Sequence, residues 1–495
     1  MNKQYIGLIV YLIIIAGVGA WTWRLNLTKE DFILGGRKLG GWVIALSERT
    51  AGESAWLILG LSGALFSLGM VQIWTVLGCV AGVIFYWFVI ARRLRVVSEQ
   101  YGAITLPEYF FRFSGCHGQT VRIISMLIIT FFFAVYVAAQ FIGAGKMLNV
   151  TFGINPGWGI PLAAAVVVVY TMMGGFTAVC YTDVVQAILM LITLIFMPLM
   201  GLIAIGVNNY SIAAAMAATG QTASLTGGQT GWAGAAAIIS GLSWGLGYMG
   251  QPHLVTKFMA IKSPEAIRTG RMVAIVWTVL AYCGAALVGI IGITLVYYAQ
   301  IPVEGLVGEG ADPEGILPVL ARTLFPMWIV GILISGAVAA MMSTADSQLL
   351  ITTSTIVEDF YSKALKREIG QRQLVLMSRL VTVGVGVAAF LLAVTSDELI
   401  YNVVSLAWAG LGSSFGPSIL LSLHWRRMNG VAMLASMITG TVSTAAWMLI
   451  PGLDDIISVR FAAFFLATVV AIVVAVSTSK QNKRELIPSQ LGVFR

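Results

Sequence analysis

The chain reads as an all-α polytopic membrane protein with thirteen transmembrane helices, and three observations predict this. Of its 495 residues 58% are hydrophobic and only 10% charged, against roughly 25% charged in a soluble globule. Apolar runs of about 20 residues, the length that spans a bilayer, recur along the whole chain. The cations fall in alternate connectors. A mean hydropathy of +0.91 leaves no room for a soluble domain of ordinary size, so residues 1–495 form one membrane domain whose partner is the lipid bilayer.

The spans are placed near 4–23, 42–66, 70–92, 121–145, 157–178, 182–205, 232–254, 273–297, 327–352, 375–395, 399–423, 429–450 and 461–478. The first lacks a small-residue cleavage pattern and reads as a retained helix. The connector after it carries Arg24, Lys29, Arg37 and Lys38. Every second connector after that is also basic: Arg92, Arg93 and Arg95; then Lys257, Lys262, Arg268 and Arg271; then Lys363 to Arg379; then Arg426 and Arg427. The tail 479–495 adds Lys480, Lys483 and Arg484. The alternate connectors hold Glu304, Glu309, Asp312, Glu314, Asp397, Glu398, Asp454 and Asp455. Cations mark the cytoplasmic side, so the N-terminus is expected outside and the C-terminus inside the plasma (inner) membrane.

The net charge of +8 follows from that loop bias, and with no basic groove or aromatic-basic motif nothing points to nucleic acid. Cys79, Cys116, Cys180 and Cys283 are scattered, without the spacing of a disulfide framework or a zinc site. His117, His253 and His424 lie near predicted helix ends and read as interfacial residues. Neither a His-rich metal motif nor a nucleophile–base pair suggests an enzyme, and no obligate protein partner is evident.

The second span, Trp42 to Gly60, carries Glu48, Arg49 and Glu53 in its middle, where an unpaired ionised group costs at least ~2.5–3.5 kcal/mol. Gly52 and its small hydroxyl neighbours are weak helix formers, so the helix is expected to loosen there and free backbone groups for an ion and a small polar solute. Were it unbroken, Arg49 would pair with Glu53 four residues on, leaving Glu48 as the unpaired acid. Upstream, the glycines of Asp31–Gly40 suit a tight turn at the membrane surface. Residues 299–324, with several acids and prolines, read as a partly helical external loop.

In the seventh span, Trp244 and Tyr248 share a face among glycines. That spacing suits a binding face and equally a glycine-rich packing seam. In the ninth, Ser343 and Thr344 offer the hard oxygens that a small alkali cation prefers, with Asp346 adding charge; such hydroxyls also commonly bond back to the preceding turn. Two interrupted helices in corresponding positions point to inverted repeats around a midplane site. The units would be 42–205 and 232–423, with the helix 4–23 before them and the pair 429–478 after.

Five segments carry a resemblance: Phe32–Arg37, Gly174–Gln186, Trp244–His253, Met342–Thr344 and Trp408–Pro417. At these the chain resembles the sodium/solute symporter family, nearest its proline branch, over about Asp31 to Trp425. The resemblance implies a LeuT-like core of two inverted five-helix repeats. It also implies Na⁺ as coupling ion, held by backbone carbonyls of Thr50, Glu53 and Ala340 with the hydroxyls of Ser343 and Thr344, and Asp183 on the ion's exit route. Ser54, Tyr136, Trp244, Tyr248 and Pro252 would line the solute pocket. The implied function is secondary active import of proline, or a similar small amino acid, by sodium symport with alternating access. The proline branch carries an aspartate where this chain has Gly52 and an apolar residue where it has Glu53. That departure keeps open H⁺ coupling, or another solute such as a basic amino acid or a carboxylate. A non-transporting sensor is the rival from a different class, since fold alone does not establish function.

Overall fold

The computed structural model describes residues 4–23, 29–173, 175–218, 223–301, 305–308, 310–365, 370–396 and 398–478. Arg24, Gly174, Glu304, Glu309, Asp397 and the expected tail with Lys480, Lys483 and Arg484 lie outside them. Among the described residues the chain is helical, with one isolated bridge between Leu39 and Ile261.

Among the described residues ten helices are long and apolar enough to cross a membrane. The expected spans at 42–66 and 232–254 are each divided into short helices. The one at 157–178 yields only a shorter apolar stretch, Gly157–Met172.

The main elements, in chain order, begin with α1 (Gln4–Trp23), α2 (Gly41–Gly52), α3 (Ile73–Val89), α4 (Gly118–Phe152), α5 (Pro156–Met173), α6 (Phe176–Val207) and α7 (Gly231–Leu242). They continue with α8 (Pro252–Ala260), α9 (Ala266–Tyr297), α10 (Met327–Ser354), α11 (Gln371–Val394), α12 (Ile400–His424), α13 (Gly430–Leu449) and α14 (Val459–Thr478). Helix α10 is the axis of the molecule. Every residue from Leu333 to Ser354 is buried, including the polar run Ser343, Thr344, Asp346, Ser347 and Gln348, which lipid would tolerate poorly, and α1, α2, α4 and α6 pack against it.

The interruption after α2 falls one step later than the composition suggests. Gly52 stays helical, and the last intrahelical bond runs from the Glu53 amide to the Arg49 carbonyl at 3.0 Å. Glu53 then leaves the helix at φ −106°, ψ 76°. Side chains account for the position of the break: Gln140 Oε1 accepts the Ala55 amide at 3.0 Å and Ser54 Oγ accepts that of Trp56 at 3.2 Å. Away from water a freed backbone group needs such a partner. A wide π turn, Trp56–Leu61, follows.

The second interruption lies between α7 and α8. Short turns cover Trp244–Gly247 and Tyr248–Gly250, Gln251 is extended, and Pro252 opens α8 at the position where its missing N–H costs nothing. Gly247 is required here. A Cβ on it would stand 1.9 Å from Trp408 Nε1, so only glycine lets the α12 indole reach this backbone.

On the connector before α2, Gly35 and Gly36 sit at φ 65° and 58°, the left-handed turn their presence suggested. Arg37 fastens that turn by donating to the carbonyls of Met259 and Ala103, each at 2.7 Å. At the other end of the bundle, the acidic segment includes a helix, Ile316–Leu324. Ahead of it Glu314 is buried, accepting from Lys146 Nζ at 2.6 Å and from the Ile400 and Tyr401 amides at 3.1 and 2.9 Å. A carboxylate suits the open amides that begin α12.

Candidate functional site

The two interruptions touch directly, Tyr248 OH donating to Glu53 Oε1 at 3.0 Å. Of the expected ion-binding residues, Thr50, Ala340, Ser343 and Thr344 meet where α2 packs on α10, whereas the Glu53 contacts are those of its side chain. Ser343 Oγ lies 3.1 Å from the Thr50 carbonyl and 3.0 Å from that of Ala340, and Thr344 Oγ1 donates to the Ala51 carbonyl at 3.0 Å. The Thr50 hydroxyl reaches the carbonyls of Leu46 and Asp183 at 2.7 and 3.1 Å. Thr50, Ser343 and Thr344 are fully buried. The end of α2 and the middle of α10 thus bring hydroxyl and carbonyl oxygens together, the kind of ligand a hard cation takes. Ala51 is the addition: its carbonyl, bonded also by His253 Nε2 at 3.2 Å, was not singled out in the sequence.

Asp183 touches Thr50 through its carbonyl, and its carboxylate meets α2 one turn earlier, at Ser47. Its Oδ2 accepts from Ser47 Oγ at 2.6 Å and from Lys257 Nζ at 2.9 Å. Lys257, expected in a cytoplasmic connector, is instead 1% exposed and part of the interior. Its position in the count of loop cations hid this, because α8 carries it inward on the same short helix that Pro252 begins. His253 is likewise fully buried, edge-on to Phe133 and Tyr136, whereas His117 and His424 are exposed as expected.

The charged residues of α2 form one network. Arg49 Nε donates to Glu48 Oε2 at 2.7 Å, Nη1 to Glu53 Oε1 at 3.0 Å, and Nη2 to Tyr86 OH at 2.7 Å and also to Glu48 Oε1. Glu48 further accepts from Trp87 Nε1 at 3.0 Å and from Tyr86 OH. Glu53 accepts from Tyr248 OH at 3.0 Å and Tyr282 OH at 2.7 Å. Because the helix persists through Gly52, the Arg49–Glu53 spacing survives, and Glu48 is a second partner of Arg49 and not an unpaired acid. All three are fully buried. Three donors engage Glu53, whose carboxylate has about four acceptor positions.

The expected solute residues are packed around the break at Glu53. Ser54 Oγ and Tyr136 OH are 3.3 Å apart. The Trp244 ring lies 4.2 Å from Trp56 and 6.3 Å from Trp408, and the Tyr248 ring stands edge-on to Trp408 at 4.8 Å. Trp244 Nε1 donates to Tyr401 OH at 3.2 Å, and Gln251, next to Pro252, donates to the Trp408 carbonyl at 3.1 Å. From the opposite side Arg460 of α14 places its guanidinium 4.5 Å over the Trp244 ring and bonds Ser405. Trp56, Tyr282, Trp408 and Arg460 were not named in advance for this group. Trp56 and Trp408 lie inside segments already noted, while nothing local in the sequence marks Tyr282 or Arg460.

Known proteins fit this geometry. The profile of the Sodium:solute symporter family matches residues 32–440. "Sodium/proline symporter 2" of Staphylococcus saprophyticus is 36% identical over 452 residues, 90% of this chain and 86% of that one. "High-affinity proline transporter PutP" of Bacillus subtilis is 38% identical over 431 residues, covering 87% and 89%. Among solved structures, a Na⁺-coupled sialic acid symporter in its substrate-bound outward-open state matches with a TM-score of 0.79 at 19% identity, covering 97% of this chain and 98% of that one. That likeness shows the fold, a LeuT-like one. With a profile match over most of its length and relatives well above 30% identity, the chain belongs to the sodium:solute symporter family: it is a sodium-coupled membrane transporter and not an enzyme.

Proposed function

We propose that the chain imports proline, or a similarly small amino acid, across the plasma membrane on an inward sodium gradient. The observation that carries this reading is the meeting of Ser343 and Thr344 with the carbonyls of Thr50, Ala51 and Ala340, directly beside an aromatic enclosure of Trp56, Trp244, Tyr248 and Trp408. The names of the proline-carrying relatives support the substrate. In this reading Na⁺ sits between α2 and α10, on the carbonyls of Thr50, Glu53 and Ala340 and the hydroxyls of Ser343 and Thr344. It favours one conformation of the two repeats, which is how binding at one place biases access at another. Indole and phenol rings enclose the apolar ring of the solute. Ser54, Tyr136 and the remaining acceptor position of Glu53 are the polar contacts, the last suited to a secondary ammonium. Pro252 shapes the wall by ending the extended backbone at Gln251.

The architecture in this proposal is thirteen crossings, with inverted repeats 42–205 and 232–423, one helix before and two after. The N-terminus is outside and the C-terminus in the cytoplasm. Uptake of labelled proline into proteoliposomes, with a sodium gradient, a proton gradient or neither, tests the reading. Sodium-driven accumulation is expected; accumulation driven by protons alone, or none with any gradient, overturns it.

A further inference from the structure

Arg460, at the start of α14, is 7% exposed, yet among the described residues no carboxylate lies within ion-pair distance of its guanidinium. Hydroxyls hold it instead: Nη1 donates to Ser405 Oγ, and Nη2 to Ser240 Oγ at 3.1 Å and to the Ser240 carbonyl at 3.4 Å. Nε is buried with no partner among the described residues. Asp454 and Asp455, the acids just before it in the chain, are exposed, and Asp454 accepts the Val459 amide at 2.7 Å. A buried charge is ordinarily matched by an opposite one; this guanidinium is matched only by neutral groups.

Its surroundings are those of the solute group. Ser240 lies four residues before Trp244, and Ser405 lies four after Tyr401 and three before Trp408, so helical spacing puts both hydroxyls on the faces that carry these rings. The guanidinium carbon stands 4.5 Å over the Trp244 ring. Stacking on an indole occupies the flat face of a guanidinium and leaves its N–H edges for a planar, bidentate acceptor. The opposite imbalance lies across the same rings. Trp244 packs on Trp56, and Trp56 on Tyr282, whose hydroxyl reaches Glu53. There Glu48 and Glu53 share the single cation Arg49, one carboxylate in excess. A zwitterionic solute among the rings answers both imbalances, whereas a simple amine answers one.

We infer that Arg460 is a specificity-determining residue that receives the carboxylate of the transported solute, so that the substrate class is restricted to solutes with a free carboxylate on a compact apolar body. The inference deepens the amino-acid import proposed above and rests on it. On binding, the carboxylate takes over the guanidinium N–H groups from Ser405 and Ser240, exchanging neutral acceptors for a charged one.

The test compares proline with prolinamide, which keeps the ring and the ammonium but has an uncharged amide for the carboxylate, as competitors of labelled proline uptake by the full-length protein in proteoliposomes. With hydrogen bonds between charged groups at stake, the parent is expected to need roughly 10- to 100-fold more prolinamide than proline for half-inhibition. Arg460→Met keeps a long side chain over the indole and removes the charge. It is expected to weaken proline by about that factor and leave prolinamide nearly unchanged, bringing the ratio near one. Arg460→Lys, which keeps the charge without the fork, is expected to fall between. A residue that only backs the Trp244 wall would weaken both competitors together. A parent-like ratio in Arg460→Met therefore overturns the inference, as does a parent that takes prolinamide as readily as proline. If the methionine variant does not fold, a parent-like ratio in Arg460→Lys overturns it equally. A parent that accumulates no labelled proline fails the import reading itself, an outcome distinct from a proline transporter whose selectivity ignores Arg460.

Discussion

Replacing Thr344 by alanine is the sharpest probe of the ion site. In the structure its hydroxyl donates one hydrogen bond, to the Ala51 carbonyl at 3.0 Å. Such a bond contributes about 0.5–1.5 kcal/mol net, and that is the expected stability loss. With sodium bound, the same oxygen turns its lone pair to a full charge, an interaction of about 1.5–3 kcal/mol. Affinity falls by the difference, about 1–2 kcal/mol, or roughly 5- to 30-fold in the sodium half-saturation constant. Thr344→Ser keeps the oxygen and should lie near the parent. Thr344→Val keeps the shape without it and should follow the alanine. The assay is initial-rate proline uptake against external sodium, alongside thermal unfolding of the purified variants. A half-saturation constant within about twofold of the parent, or an equal shift in Thr344→Ser, refutes the hydroxyl as a ligand.

Three further outcomes follow from the neighbouring contacts. Arg49→Gln leaves the buried carboxylates Glu48 and Glu53 facing each other without their shared cation; breaking a buried pair costs about 3–5 kcal/mol, so the tryptophan-fluorescence melting midpoint should fall steeply, and an unchanged midpoint contradicts the network. Trp244→Ala removes the ring packed on Trp56, an aromatic pair of about 0.5–1.5 kcal/mol, and should raise the apparent proline constant roughly 2- to 12-fold while membrane insertion stays intact; if Trp244→Ala and Tyr248→Ala both transport like the parent, the pocket lies elsewhere. Glu53→Gln should weaken sodium dependence, with parent uptake depending little on external pH; a parent driven by a proton gradient without sodium, and a variant that loses that response, would assign coupling to Glu53 itself.

Local sequence carried the polar helices well, and the reason is chemical. Ser343, Thr344 and Glu53 stand out because lipid tolerates them poorly, and Trp244 and Tyr248 because helical spacing puts them on one face. What local sequence cannot show is which distant side chain completes a pair. Lys257 counts as one more loop cation until α8 folds it against Asp183, 74 residues earlier. Tyr282 and Thr278 meet Glu53 and Arg49 across 229 residues, with no periodicity to announce them. The break after α2 falls inside the weak stretch, at Glu53 just past Gly52, but its partner is equally hidden: Gln140 on α4, 85 residues on, supplies the acceptor for the freed Ala55 amide.

The Arg460–Trp244 contact changes the standing of the last two helices. They follow the expected repeats and would be the first segment discarded in a search for a minimal transporter. Yet a guanidinium from α14 lies over the indole whose other ring neighbours include Trp56, Tyr401 and Trp408. It also ties Ser240 of α7 to Ser405 of α12. Truncation after α12 would therefore strip the Trp244 ring of its backing and unlink α7 from α12. Sequence change in α14 is in this sense change in the pocket wall, and a graft of this pocket onto another scaffold would have to bring Arg460 with it.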